Sequence, residues 1–155
     1  DLQNLGIYVS TPQTELNSAK VRAYIVGSNW SWLHNHLGNC CFIPWSRDEI
    51  VEIVRSITGW QTNVYELMKV VERGLTMARV FNMREGMTRK DDVLPFKMRL
   101  PHKSGVVNEK PVDPEVLDEH VSMFYAMMGW DSKTGAPTAG KLQELDIEWV
   151  AGAEK

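Results

Sequence analysis

The chain of 155 residues carries 17 basic and 20 acidic side chains mixed along its length, a net charge of -3 with no basic stripe for a nucleic acid. It contains no apolar run of about 18 residues, so no membrane-spanning helix is expected, and its N-terminus lacks a signal-peptide pattern. The cysteines, Cys40 and Cys41, are adjacent, which argues against a disulfide scaffold and for a reducing, cytoplasmic setting.

The length suits one domain or two very small ones, and the leading Asp1 points to a fragment or a processed product. Residues 1–13 show no clear period and are expected to form a leading loop. From Thr14 a helical pattern begins, with Val21, Ile25, Trp32 and Leu33 on one face and Gly38 placed to stop it. Ser46 and Glu49 then form a capping box before a stripe of Ile50, Ile53, Val54 and Ile57, and Gly59 suits the left-handed residue after the last turn. A third helix opens near Thr62 or Asn63, carries Leu67, Val70, Val71, Leu75, Ala78 and Phe81, and ends at Gly86. It is the expected spine of the domain.

Residues 87–112 are rich in turn formers, and a connection of that length is usually functional or packed on a surface. Asp113-Pro114 gives a cap with proline at the first helical position, opening a helix with Leu117, Val121, Phe124 and Met128 that stops at Gly129. After the turn "WDSKTGAPT", Thr138 opens a short last helix. No segment alternates as a half-buried strand does. The predicted class is all-α with about five helices. Three regions are expected: a leading loop at 1–13, a helical region with its long loop at 14–112, and a helical segment at 113–155 packed on it.

Two stretches hold candidate chemistry. "HNHLGNCCF", residues 34–42, gathers two histidines and two cysteines, but no second pair with zinc-ligand spacing exists elsewhere. Structural histidines with buried thiols, or one ligand given to a site completed elsewhere, are the readings left open. "NMREGMTRKDDVLP", residues 82–95, packs opposite charges together. Asp91-Asp92 could be read as paired carboxylates, but Arg89 and Lys90 beside them favour a salt-bridged turn. Arg84, Glu85, Arg89, Asp91 and Asp92 are expected to pair locally or with neighbouring helix ends.

Four segments together resemble the C-terminal part of the aldehyde:ferredoxin oxidoreductase family of tungsten, sometimes molybdenum, pterin enzymes. "ITGW" at 57–60 is followed at the family's distance by the E-L-x-x-x-x-E-R pattern and by Arg84-Glu85-Gly86, with Met87 where Phe is usual, then "TRKDDVLP". "MMGWDSKTGAPTAGKLQEL" is similar to the family's ending, and "LGNCCF" to its D-x-x-G-x-C-x-F segment. The resemblance covers about residues 15–146. It implies a tungsten or molybdenum bis-pterin and a [4Fe–4S] cluster, both completed by residues outside this chain.

Cys40 is then implied as the fourth cluster ligand, with Asn35, Leu37, Gly38 and Asn39 contacting the pterin. Asn35 stands where the family has an Asp that hydrogen-bonds the pterin. No catalytic acid or base is implied here, because the family's lie upstream. The implied activity is oxidation of an aldehyde to a carboxylate with electrons passed to ferredoxin, and 155 residues alone are expected to be inactive. The implied partners are the N-terminal part of the enzyme or a companion chain, ferredoxin or an electron-transfer subunit, and a second copy of the chain. Two alternatives stay open: the tungsten subunit of a class II benzoyl-CoA reductase, and a cofactor-free helical interaction domain.

Overall fold

Asn17 opens the first helix. Its side-chain oxygen accepts the Lys20 N–H at 2.9 Å, so α1 runs Ser18–Leu37 and begins four residues after Thr14, where the sequence pattern had placed its start. The computed structural model describes residues 3–8, 10–12, 14–105, 109 and 111–152. Within the leading stretch, Gln3–Leu5 form a 3-10 turn and Ile7 is buried. The expected capping box begins α2, Arg47–Thr58: Ser46 N–H donates to Glu49 at 2.7 Å and Glu49 N–H to Ser46 Oγ at 3.2 Å. Gly59 ends it at φ 74°.

Asn63 caps α3, Val64–Arg84. Its last turn closes on Glu85, and Gly86, the expected stop, follows at φ 98°. Asp113 caps α4, Pro114–Met127, and Thr138 caps α5, Ala139–Glu144. Short 3-10 turns at Arg89–Asp91, Phe96–Arg99 and Glu148–Ala151 complete the described elements. The all-α expectation holds: the described residues form five α-helices and an isolated bridge between Trp130 and Pro137.

α3 is the spine, packed against α1, α2 and the last 3-10 turn. One cluster joins Leu33 of α1 to Ile50, Val51 and Val54 of α2 and Leu67 and Val71 of α3. A second sets Leu142, Leu145, Ile147 and Val150 against Met77 and Val80. A third joins Tyr125, Met128 and Trp130 to Ile25 of α1. Each wholly buried side chain of this size contributes roughly 1.5–3 kcal/mol.

Four expected core positions are exposed: Trp32, Ile57, Ala78 and Phe81. Ile57 sits in the last turn of α2, where it stays 79% exposed among the described residues. On α3 the buried set is Leu67, Val71, Thr76 and Arg79. Two polar residues therefore hold the inward face, and the apolar period pointed one step round the helix to Ala78 and Phe81.

Arg79, only 6% exposed, joins four parts of the chain. Its guanidinium donates to both oxygens of Asp92, at 3.1 and 2.8 Å, and its Nε donates to the Gly135 carbonyl at 3.0 Å. Nη2 reaches the Tyr125 hydroxyl at 3.3 Å, and that hydroxyl donates to Asp92 Oδ2. The cation also lies 5.3 Å from the Tyr125 ring centre and 5.6 Å from that of Trp130. Burial, then the bond to Asp92, pushes the Tyr125 phenol above its ordinary pKa, keeping it a neutral donor. Gly135 stands at φ 71°, and a Cβ there would overlap Arg79 Nη2 and meet Tyr125 Cζ at 2.7 Å.

Two predictions follow from this packing. Arg79→Met leaves Asp92 unpaired and should lower unfolding free energy by about 3 kcal/mol in denaturant titration, since breaking a buried pair strands a charge. Gly135→Ala combines a disfavoured φ with overpacking and should cost about 2–3 kcal/mol in the same measurement. An unchanged midpoint for either variant would refute the bridging role.

Acid sensitivity follows from four carboxylates. Asp91 and Glu49 are held below their ordinary pKa values of 3.8 and 4.5, first by backbone N–H donors from Thr88 and Ser46. Asp131 is lowered first by the Thr134 hydroxyl, and Glu144 first by Lys141. Because each folded value is depressed, the stabilisation is present above the ordinary values and is lost as pH falls through the folded ones. Melting temperature should hold from about pH 6 to about pH 5 and fall steadily below about pH 4.

Candidate functional site

The segment 34–45 is shaped by the end of α1. Gly38 adopts φ 70° as the left-handed cap, its N–H donating to the Asn35 carbonyl at 3.3 Å, while Asn39 N–H donates to His34 O at 2.8 Å. The cap thereby consumes the backbone donors of Gly38 and Asn39. What the backbone at Leu37–Asn39 can still offer a ligand is carbonyl oxygen, together with the exposed Asn35 amide.

The chain turns at once into Cys40 and Cys41, both free and exposed, followed by Phe42 at 93% exposure. The reading of these cysteines as buried structural thiols is therefore wrong. Gly38 commits the chain to leave the helix outward, and no element among the described residues packs over the turn. Across α1, His36 lies on the α3 backbone at Gly74, where a Cβ would overlap its ring, and its Nδ1 bonds Trp32 O at 2.9 Å. His34 is buried beside Trp30, with ring centres 5.8 Å apart. Neither histidine forms a donor cluster with the cysteines: among the described residues, no group of three or more His, Cys, Asp or Glu is placed to hold a metal ion.

The donor chemistry nevertheless fits one external bond. Cys40 is an accessible thiol beside the C-terminal end of a helix, whose partial negative charge disfavours a bare anion and favours coordination to a cation. Unpaired buried polar atoms gather in the same stretch: His34 Nδ1, Asn39 Nδ2 and Trp45 Nε1. In a finished site such atoms are normally satisfied. The residues suit a single cluster ligand with neighbouring polar surface, not a self-contained centre.

The charged stretch 82–95 has a different role. Asp92 pairs with Arg79, a residue the sequence reading did not single out. Arg89 bonds Asp118 at 2.5 Å and stacks 4.9 Å from the Tyr125 ring centre. Among the described residues Asp91 forms no ion pair; it caps the 3-10 turn by accepting the Thr88 N–H at 2.7 Å and hydroxyl at 3.0 Å. For Arg84 the expected pairing is not found among the described residues, and its buried Nη2 has no partner there. Glu85 is exposed and enters no ion pair among the described residues. The signature is a fastening in which Asp91 and Asp92 are engaged and Glu85 is not.

Fold and site together define an all-α domain that presents two free thiols at its surface and, among the described residues, closes no metal site of its own. The chain belongs to the aldehyde ferredoxin oxidoreductase family, whose model for domains 2 and 3 matches residues 2–147. It is 25% identical over 153 residues to the tungsten-containing aldehyde ferredoxin oxidoreductase of Pyrococcus abyssi, covering 93% of this chain and 24% of that protein. The protein of the same description from Pyrococcus furiosus is 25% identical over 147 residues, covering 92% and 24% respectively. The chain thus spans about a quarter of the length of these curated relatives. In fold it is similar to a chain of the active-site complex of benzoyl coenzyme A reductase solved with 1,5-dienoyl-CoA. There the TM-score is 0.70 at 21% identity, over 98% of this chain and 24% of the other.

The exposed turn makes a direct prediction. In the isolated chain, Cys40 and Cys41 should both be alkylated by iodoacetamide without denaturant, as read by peptide mass spectrometry. Protection of both thiols would contradict the outward turn.

Proposed function

We propose that this chain is the helical part of a tungsten- or molybdenum-pterin, iron–sulfur oxidoreductase acting on aldehydes, and that Cys40 supplies one thiolate to its [4Fe–4S] cluster. The observation that carries this reading is the exposed, unpaired Cys40 on the turn after the Gly38 cap, in a chain matched by the family over residues 2–147. When bound, the pterin-held metal and the cluster supply two-electron oxidation of an aldehyde to a carboxylate and transfer of the electrons to ferredoxin. The chain's own residues hold and orient. Cys40 fixes one corner of the cluster, and the Arg79 network fastens the helices that support it.

Asn35, Leu37, Gly38 and Asn39 line part of the pterin surface in this reading. Asn35 offers two N–H donors and one carbonyl acceptor, and the Leu37–Asn39 backbone offers acceptors. The remaining ligands, the catalytic acid and base, and the greater part of the substrate pocket come from the rest of the enzyme. These 155 residues alone are inactive.

Asn35 favours a second reading of the substrate. An amide in place of a carboxylate removes a negative charge beside the pterin, and the fold likeness to a benzoyl coenzyme A reductase chain is compatible with an aromatic acyl-CoA substrate. Assays of the full-length enzyme with an aldehyde and with benzoyl-CoA separate the two.

The ligand assignment is tested in the full-length, anaerobically purified enzyme with Cys40→Ser, Cys41→Ser and the double variant. Cys40→Ser should lose most of its iron and its reduced-state paramagnetic signal, while Cys41→Ser keeps both. Wild-type iron and signal in Cys40→Ser, with loss only on removing Cys41, would move the ligand to Cys41. Full retention in the double variant would show that neither cysteine of this chain ligates the cluster, and a wild-type enzyme without iron would leave the cofactor-free interaction domain as the better description.

A further inference from the structure

Between the N-terminal half of α1, residues 91–94 and α4 lies an open cavity of about 630 Å³. Leu16, Val21 and Tyr24 form one wall, and Leu117, Val121 and Phe124 the other. Asp92 and Tyr125 also line it, and their polar capacity is already used. Asp92 receives Arg79 and Tyr125, and the Tyr125 hydroxyl accepts from Arg79. Asp91, beside them, holds Thr88. The cavity therefore meets an occupant with apolar surface and spent carboxylates.

Among the described lining residues Lys20 is the basic donor still available: it gives one of its N–H groups to the Pro12 carbonyl and has two more. His120 donates Nδ1–H to Val116 O at 2.7 Å, which makes Nε2 of the neutral ring an acceptor. An occupant that matches both properties has an apolar body and a carboxylate. The rim is also unusually bare, with Tyr24 65% and Val93 58% exposed. An apolar groove of this size between two helices accepts the face of a short amphipathic segment. About three quarters of the relatives' polypeptide lies outside the length this chain spans, so a covering segment has an evident source.

We propose that the α1–α4 groove seats an apolar-faced segment from the rest of the enzyme, whose Asp or Glu side chain reaches Lys20. The proposal rests on the reading that this chain works within a larger oxidoreductase. It concerns a surface well away from the cofactor-contact turn: the groove flanks the start of α1, Cys40 follows its end, and a helix of 20 residues is about 30 Å long. Seating and cluster ligation can therefore fail separately.

The test uses the full-length enzyme with Leu117→Cys and, as a second reporter, Val121→Cys. Each is labelled by a maleimide and read peptide by peptide against Met127→Cys, an exposed position on the same helix. Groove cysteines should label roughly tenfold more slowly than Met127→Cys, as expected for local opening of a covered site. Adding Lys20→Glu should bring their rate up severalfold. Equal labelling of groove and reference cysteines overturns the proposal, as does protection indifferent to the charge reversal. Saturable binding of octanoate that shifts groove resonances in the native enzyme would also overturn it, assigning the site to a free apolar acid. A reactive groove in an enzyme that loses iron with Cys40→Ser sinks this inference alone. A protected groove in an enzyme that holds no iron sinks the cofactor reading alone.

Discussion

The ion pair of Arg79 with Asp92 is the constraint on which the arrangement of the other elements depends. Arg79 comes from the spine helix, Asp92 from the loop after it, Tyr125 from α4 and the Gly135 carbonyl from the turn before α5. Each group alone would be costly to bury, and together they satisfy one another. The guanidinium suits this position because its planar fork can meet both carboxylate oxygens while Nε serves a third acceptor. A lysine there could not.

That junction leaves consequences on two sides. Toward the α1–α4 groove it presents polar atoms already occupied, so the cavity there behaves as apolar despite containing two carboxylates. On the other side, a second charge network of Lys69, Glu72, Lys141 and Glu144 ties α3 to α5, with contacts of 2.6–2.9 Å. The spine helix is thus fastened laterally by charge along one flank and by the aliphatic cluster with α1 and α2 along another. The turn at Cys40 is bracketed by Leu37 and Trp45, which pack against that aliphatic cluster. Its position is set by Gly38 and the end of α1, which is why the thiols stand clear of the protein surface.

Capping chemistry was legible because it is local. Ser46 with Glu49, Gly59, Asp113-Pro114 and Thr138 each act within a few residues, and each did what its neighbours in sequence dictate. The start of α1 was misplaced because Thr14 and Asn17 are both good caps, and only the fold decides which meets a helix. The core stripe of α3 was misplaced for a different reason. Hydrophobic periodicity does not register a buried arginine or threonine, so Arg79 and Thr76 lent no weight to the face they occupy. A single sequence offers one hint of Arg79: it stands on the spine helix a short way before a loop with adjacent carboxylates.

The sequence by itself determined the all-α class, most of the helix ends and the family, since these rest on short-range chemistry and on ordered motifs along the chain. It also isolated "HNHLGNCCF" as an incomplete ligand set. Only the tertiary structure decided that the two thiols face outward, that Asp91 is a cap while Asp92 is an ion-pair partner, and that an open apolar groove lies between α1 and α4. Those outcomes depend on which residues distant in sequence become neighbours. Adjacent aspartates carry the same chemistry until a guanidinium 13 residues away reaches one of them and a threonine three residues away engages the other.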